Sequence, residues 1–123
     1  MSVIVARGRG IGGAGAGGIG TALSLSIPNT TTGVVDILPV ATYRSAKWLV
    51  TVTDSTGNRV RSYEVFGMHR NGASPTHNQY GILGDTITHT VAVTINGTNL
   101  RLEITNNDGA AITVDAVRLP IIV

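Results

Sequence analysis

The residues of this 123-residue chain that could do chemistry are few and scattered. Eight glycines fall between Gly8 and Gly20, and they spell G-x-G-x-x-G twice, at Gly8-Arg9-Gly10-Ile11-Gly12-Gly13 and at Gly15-Ala16-Gly17-Gly18-Ile19-Gly20. With Asp36 lying 21 residues after Gly15, this is the outline of a dinucleotide fingerprint. That chemistry needs a helix after the glycines, because the helix N-terminus holds the pyrophosphate. Here Thr21-Ala22-Leu23-Ser24-Leu25-Ser26-Ile27-Pro28 alternates like a strand and ends in proline, and no G-K-[ST] follows, so no cofactor is expected. His69, His77 and His89 with Asp85 could ligate a metal, but their spacing matches no compact ligand motif, and none is expected. Ser74 and His77 are near in sequence without a G-x-S-x-G elbow, and the carboxylates are dispersed over separate strands and turns. No nucleophile–base or acid–base pair emerges, and the chain does not read as an enzyme. Two glycosylation sequons, at Asn29 and Asn96, carry no weight because residues 1–10 do not read as a signal peptide.

The elements that must position these residues read as β throughout. Trp48, Val50 and Val52 alternate with Leu49, Thr51 and Thr53, and Asp54-Ser55-Thr56-Gly57-Asn58 is a turn cluster. Residues 59–68 resume the alternation. Residues 86–95 have the cleanest period of two, with Ile87, His89, Val91, Val93 and Ile95 on one face. Asn96-Gly97 signals a hairpin, residues 100–105 alternate again, Asn107-Asp108-Gly109 turns the chain, and residues 111–119 form the next strand with Ile112 and Val114 toward the core. The last three strands are expected to form a meander, preceded by a hairpin. Thr21–Ile27 and residues 34–40 add two shorter strands. Residues 67–84, with Pro75, four glycines and few apolar residues, read as a long loop, the kind of segment that often carries function.

Composition narrows the function. Only 13% of residues are charged, against ~25% in ordinary soluble proteins, which leaves an uncharged surface of the sort that partners cover. There is no cysteine, so disulfides and thiolate metal sites are excluded. No apolar run approaches the ~20 residues of a membrane-spanning helix, and no membrane association is expected. Arg7 and Arg9 sit in an Arg-Gly-Arg-Gly run that could meet phosphates. With a net charge of only +2 and no interleaved aromatics, acidic groups on a protein partner are the better expectation than nucleic acid. Ordering so many glycines is entropically costly, and a neighbouring chain or a tight symmetric bundle would offset it. Arg7, Arg9, Ile11 and Ile19 on this arm are therefore the candidate contact residues, followed by His69, Arg70 and His77 on the long loop.

The stretch Tyr43-Arg44-Ser45-Ala46-Lys47-Trp48-Leu49-Val50-Thr51-Val52-Thr53-Asp54-Ser55 resembles a small β domain of virion structural proteins from tailed bacteriophages, notably marine and cyanobacterial ones. The likeness continues through Glu64, His69, Tyr80-Gly81 and Leu100-Arg101-Leu102. It covers residues 41–119; residues 70–78 are less similar, and residues 1–40 lie outside it. The resemblance implies a component of a phage particle. Lys47 and Glu64 would pair across neighbouring strands in a structural role.

These readings predict an all-β chain: one β-sandwich, jelly-roll-like domain over residues 21–123 behind a glycine-rich N-terminal arm, residues 1–20. The expected function is capsid decoration or cementing. The protein would be made in the host cytoplasm and found in the virion, bound to the major capsid protein or other virion proteins, as a homo-oligomer (dimer or trimer). On that reading, removing residues 1–20 leaves the domain folded and abolishes assembly. A trimeric tail fibre, neck or baseplate component is the alternative. A glycan-binding module is a third, although the position of Trp48, the one tryptophan, points to the core.

Overall fold

The computed structural model describes residues 3–5, 7–9 and 20–123. They form ten strands: β1 (Val3–Val5), β2 (Arg7–Arg9), β3 (Thr21–Ile27), β4 (Thr32–Pro39), β5 (Tyr43–Asp54), β6 (Val60–Arg70), β7 (Ala73–Gly84), β8 (His89–Asn96), β9 (Asn99–Asn106) and β10 (Ile112–Ile122). No helix occurs among the described residues. Two sheets, ordered β1-β4-β9-β8 and β2-β3-β10-β5-β6-β7, pack face to face as the expected β-sandwich.

Alternation decides which side chains enter the core. In β5, Ala46, Trp48, Val50 and Val52 are buried, and in β9, Leu100, Leu102 and Ile104. These inward rows interleave between the sheets with Leu23, Ile27, Val65, Val93, Ile112 and Val114. Burying each such side chain favours folding by ~1.5–3 kcal/mol. At Gly67 the sheets come so close that a Cβ would lie 3.0 Å from Val93 and 3.2 Å from the Trp48 ring.

Three expectations are corrected. Residues 73–84 are not a loop but strand β7, antiparallel to β6, with Met68 opposite Thr76 and Glu64 opposite Tyr80. The turn that makes it is Asn71-Gly72, whose φ angles of 52° and 79° are those of a two-residue primed hairpin turn. The strand hides in the sequence because it is the exposed edge of its sheet. It needs no apolar alternation there, and an edge strand tolerates Pro75. The last three strands do not form a meander. β8 and β9 are a hairpin in the smaller sheet, while β10 crosses to the larger one and inserts between β3 and β5. Finally, β8 begins at His89 rather than residue 86.

The arm contributes to both sheets. β1 pairs in parallel with β4, Val3 facing Thr32, and β2 pairs antiparallel with β3, Arg7 facing Ser24. Removing residues 1–20 would thus uncover the edges of β3 and β4.

Candidate functional site

Three clusters of charged groups stand out among the described residues. The first lies between the sheets. A bulge in β4 between Val34 and Asp36 turns consecutive residues inward, so that the Asp36 carboxylate is buried. Trp48 Nε1–H donates to Asp36 Oδ2 at 2.8 Å, Arg118 Nε–H to the same oxygen at 2.7 Å, and the Ile37 amide to Oδ1 at 2.8 Å. Arg118 Nη2 completes a bidentate pair with Oδ1. Asp36 is 5% exposed and Arg118 2%, so this pair ties one sheet to the other inside the core.

The second cluster closes one end of the sandwich. Arg59 donates to Asp54 at 2.8 Å, to Asp108 at 2.5 Å and to the Thr86 carbonyl at 2.9 Å. Burial pushes the Asp54 carboxyl up, but the Thr56 hydroxyl and the Arg59 guanidinium outweigh it and hold it at about 2. Arg59 likewise holds Asp108 below the ordinary carboxylate value.

The third cluster is on the outward face of the larger sheet. Lys47 Nζ lies 2.7 Å from Glu64 Oε1, the expected cross-strand pair, and 5.7 Å from the centre of the Tyr80 ring. Glu64 and Tyr80 hold Lys47 in its charged form, above its ordinary value. Around this pair the same face presents Leu49, Phe66, Met68, Leu119 and Ile121, all exposed. A groove of about 330 Å³ runs beside Leu49, Thr51, Ser62, Glu64, Gly81 and Leu83.

The structure separates the histidines. His69 is 1% exposed; its Nδ1 accepts from the Gly72 amide at 2.8 Å, which leaves Nε2–H to donate to the Tyr43 carbonyl at 2.6 Å. It pins the β6–β7 turn to the start of β5, and its side chain is withdrawn from the surface. His89 stacks on Tyr63, with ring centres 5.6 Å apart. Its Nδ1–H donates to the Ile87 carbonyl at 2.7 Å, so Nε2 accepts from the Tyr63 hydroxyl at 2.8 Å. Burial lowers the His89 pKa below its ordinary value and raises that of Tyr63. His77 is exposed on β7, and Asp85 accepts from the Val60 amide. Among the described residues no three histidines, cysteines or carboxylates are grouped as metal ligands would be.

Of the contact candidates, Arg70 and His77 are exposed on adjacent strands but not opposite one another: Arg70 faces Ala73 and His77 faces Gly67. Arg7 and Arg9 lie on β2, while Ile11 and Ile19 fall outside the described residues. The segment that follows the glycine tract is strand β3, not the helix that a pyrophosphate site requires. The outward face was missed in the sequence because its apolar members come from four strands. The exposed alternate positions of residues 47–53 and 60–68 were its one visible trace.

No protein-family model matches the chain, and no curated protein matches its sequence. Among solved structures, it is similar to the crystal structure of the Acinetobacter phage vB_ApiP_P1 tailspike protein, with a TM-score of 0.54 and 15% sequence identity over 80% of this chain. The match spans 22% of the tailspike chain, and at that identity it is a likeness of fold.

Proposed function

We propose that this chain is a structural module of a bacteriophage particle, working through contacts with neighbouring subunits. One observation carries the reading: the sandwich shares its fold with part of a phage tailspike protein, where the sequence already resembles phage virion proteins. The chemistry agrees with it. Among the described residues Asp36 pairs with Arg118 and Asp54 with Arg59 inside the chain, while the outward face of the larger sheet exposes apolar side chains around the Lys47–Glu64 pair.

Two placements on the particle follow. As a head decoration protein, the module would span junctions of the major capsid protein and stabilise the assembled lattice by binding it in preference to free subunits. Symmetry would multiply weak contacts, with Arg7, Arg9, Arg70 and His77 among the contact residues. The sequence resemblance and low charge support this placement. As part of a tail appendage (fibre, neck or baseplate) it would pack against copies or neighbours along an axis, and the tailspike likeness supports that one. Neither reading gives it a catalytic role.

The test is the copy number in purified particles, measured by quantitative mass spectrometry against the major capsid protein. A ratio within a few-fold of one places the module on the head. A ratio near that of a tail appendage moves it there. Absence from particles overturns the structural reading.

A further inference from the structure

We infer that the outward face of the six-stranded sheet pairs with the same face of a second copy of this chain. The inference deepens the structural reading above by naming one of its partners.

A sheet in a sandwich ordinarily alternates apolar-in with polar-out. Here the outward positions of the larger sheet break that rule at its centre. Leu49, Phe66, Met68, Tyr80, Leu119 and Ile121 are each 37–54% exposed. Register makes the patch continuous: Leu119 lies beside Lys47 and Lys47 beside Phe66, while Leu49 lies beside Glu64 and Glu64 beside Tyr80. At the ~150–250 Å² that a large side chain presents, these six expose roughly 500 Å², toward the top of the range for the largest patch on a monomer. With Leu83, Thr51 and Ser62 beside it the face approaches the ~800 Å² per partner of a stable interface.

Charge identifies the occupant. At the centre of the patch are one cation and one anion, Lys47 and Glu64, diagonal neighbours across β5 and β6. A centre carrying one charge of each sign can complement itself. A two-fold axis lying in the interface plane, perpendicular to the line from Lys47 to Glu64, sets each Lys47 against the other copy's Glu64, with apolar rows meeting around them. A partner of single-sign charge would leave one member of the pair opposed by its like.

Sedimentation velocity on the full chain at micromolar concentrations tests the pairing. The wild type is expected to dimerise. Phe66→Asp, at a half-exposed position, is expected to stay folded with a cooperative melting transition and weaken the dimer at least ~30-fold, as loss of a central aromatic anchor does. Lys47→Glu and Glu64→Lys are each expected to be monomeric alone and to form a heterodimer when mixed, because each repels itself and complements the other. A monomeric wild type, an undisturbed Phe66→Asp dimer, or a mixture that stays monomeric overturns the pairing. A monomer still present in purified particles removes the pairing and leaves the structural reading standing. A dimer absent from particles does the reverse.

Discussion

Replacing Asp36 by alanine removes an acceptor on which both sheets converge. The Ile37 amide, Trp48 Nε1–H and two nitrogens of Arg118 lose their partner together, and the guanidinium is left charged at 2% exposure. Breaking a buried ion pair from one side costs ~3–5 kcal/mol. A 123-residue chain has roughly 6–18 kcal/mol of stability at ~0.05–0.15 kcal/mol per residue. At the middle of both ranges, about 4 of 12 kcal/mol, the substitution takes roughly a third of the total. Trp48 is the one tryptophan and touches the altered group, so its fluorescence reports urea unfolding directly. At a slope of ~2 kcal/mol per molar urea the midpoint falls by roughly 2 M. The double variant Asp36→Leu/Arg118→Met removes both charges, and with them an Arg118 Nη1 that finds no partner among the described residues. It regains part of the loss, and the remaining deficit of ~1–3 kcal/mol comes from the Trp48 N–H and the Ile37 amide, which both lose the carboxylate as acceptor. A single-variant cost below ~1 kcal/mol, or a double variant no better than the single, refutes the reasoning.

Three further outcomes follow from the same geometry. Gly67→Ala forces a methyl against Val93 and the Trp48 ring and should cost ~1–3 kcal/mol in chemical unfolding, as overpacking does. Asp54 is held at about 2 against an ordinary 3.8. Its contribution is present above the unfolded value and is lost as pH falls through the folded one, so the melting temperature should drop from about pH 4 toward 2 and do so less in Asp54→Asn. His89 is shifted downward by burial: its neutral form supports the fold above the unfolded value of 6.5, and acidification below that erodes it. An imidazole titration followed by NMR should therefore have its midpoint below 6.5, and Tyr63→Phe should cost about 1 kcal/mol through the lost bond to Nε2.

The sandwich was legible where burial imposes a pattern. Trp48, Val50 and Val52, or Leu100, Leu102 and Ile104, alternate because one side of their strands meets the core. Strand β7 was illegible for the converse reason, since an exposed edge meets no core on either side and its sequence is free of the pattern. The signal that could have found it was Asn71-Gly72, the same dipeptide as the Asn96-Gly97 that marks the β8–β9 hairpin. The Lys47–Glu64 pair was legible because neighbouring strands bring it together. The Asp36–Arg118 pair was not: its members are 82 positions apart and on opposite sheets, and only the bulge in β4 turns the carboxylate inward. His69, a contact candidate when its segment read as a loop, proved to be the pin of a tight turn.

The place of β10 has a consequence for how the chain is made. It fills the gap between β3 and β5, matching Ile112 with Ile27 on one side and Asp54 on the other. A nascent chain that ends before residue 112 can zip β5, β6 and β7 into a local ribbon, but β3 and the strand beyond it have nothing to join. β4 waits in the same way for β9. Such long-range closures are slow, and until they occur the inner faces of both sheets lie open to other chains. Translation thus delivers the keystone strand after both of the strands it joins. A stop codon anywhere before it should yield aggregates rather than a smaller soluble domain.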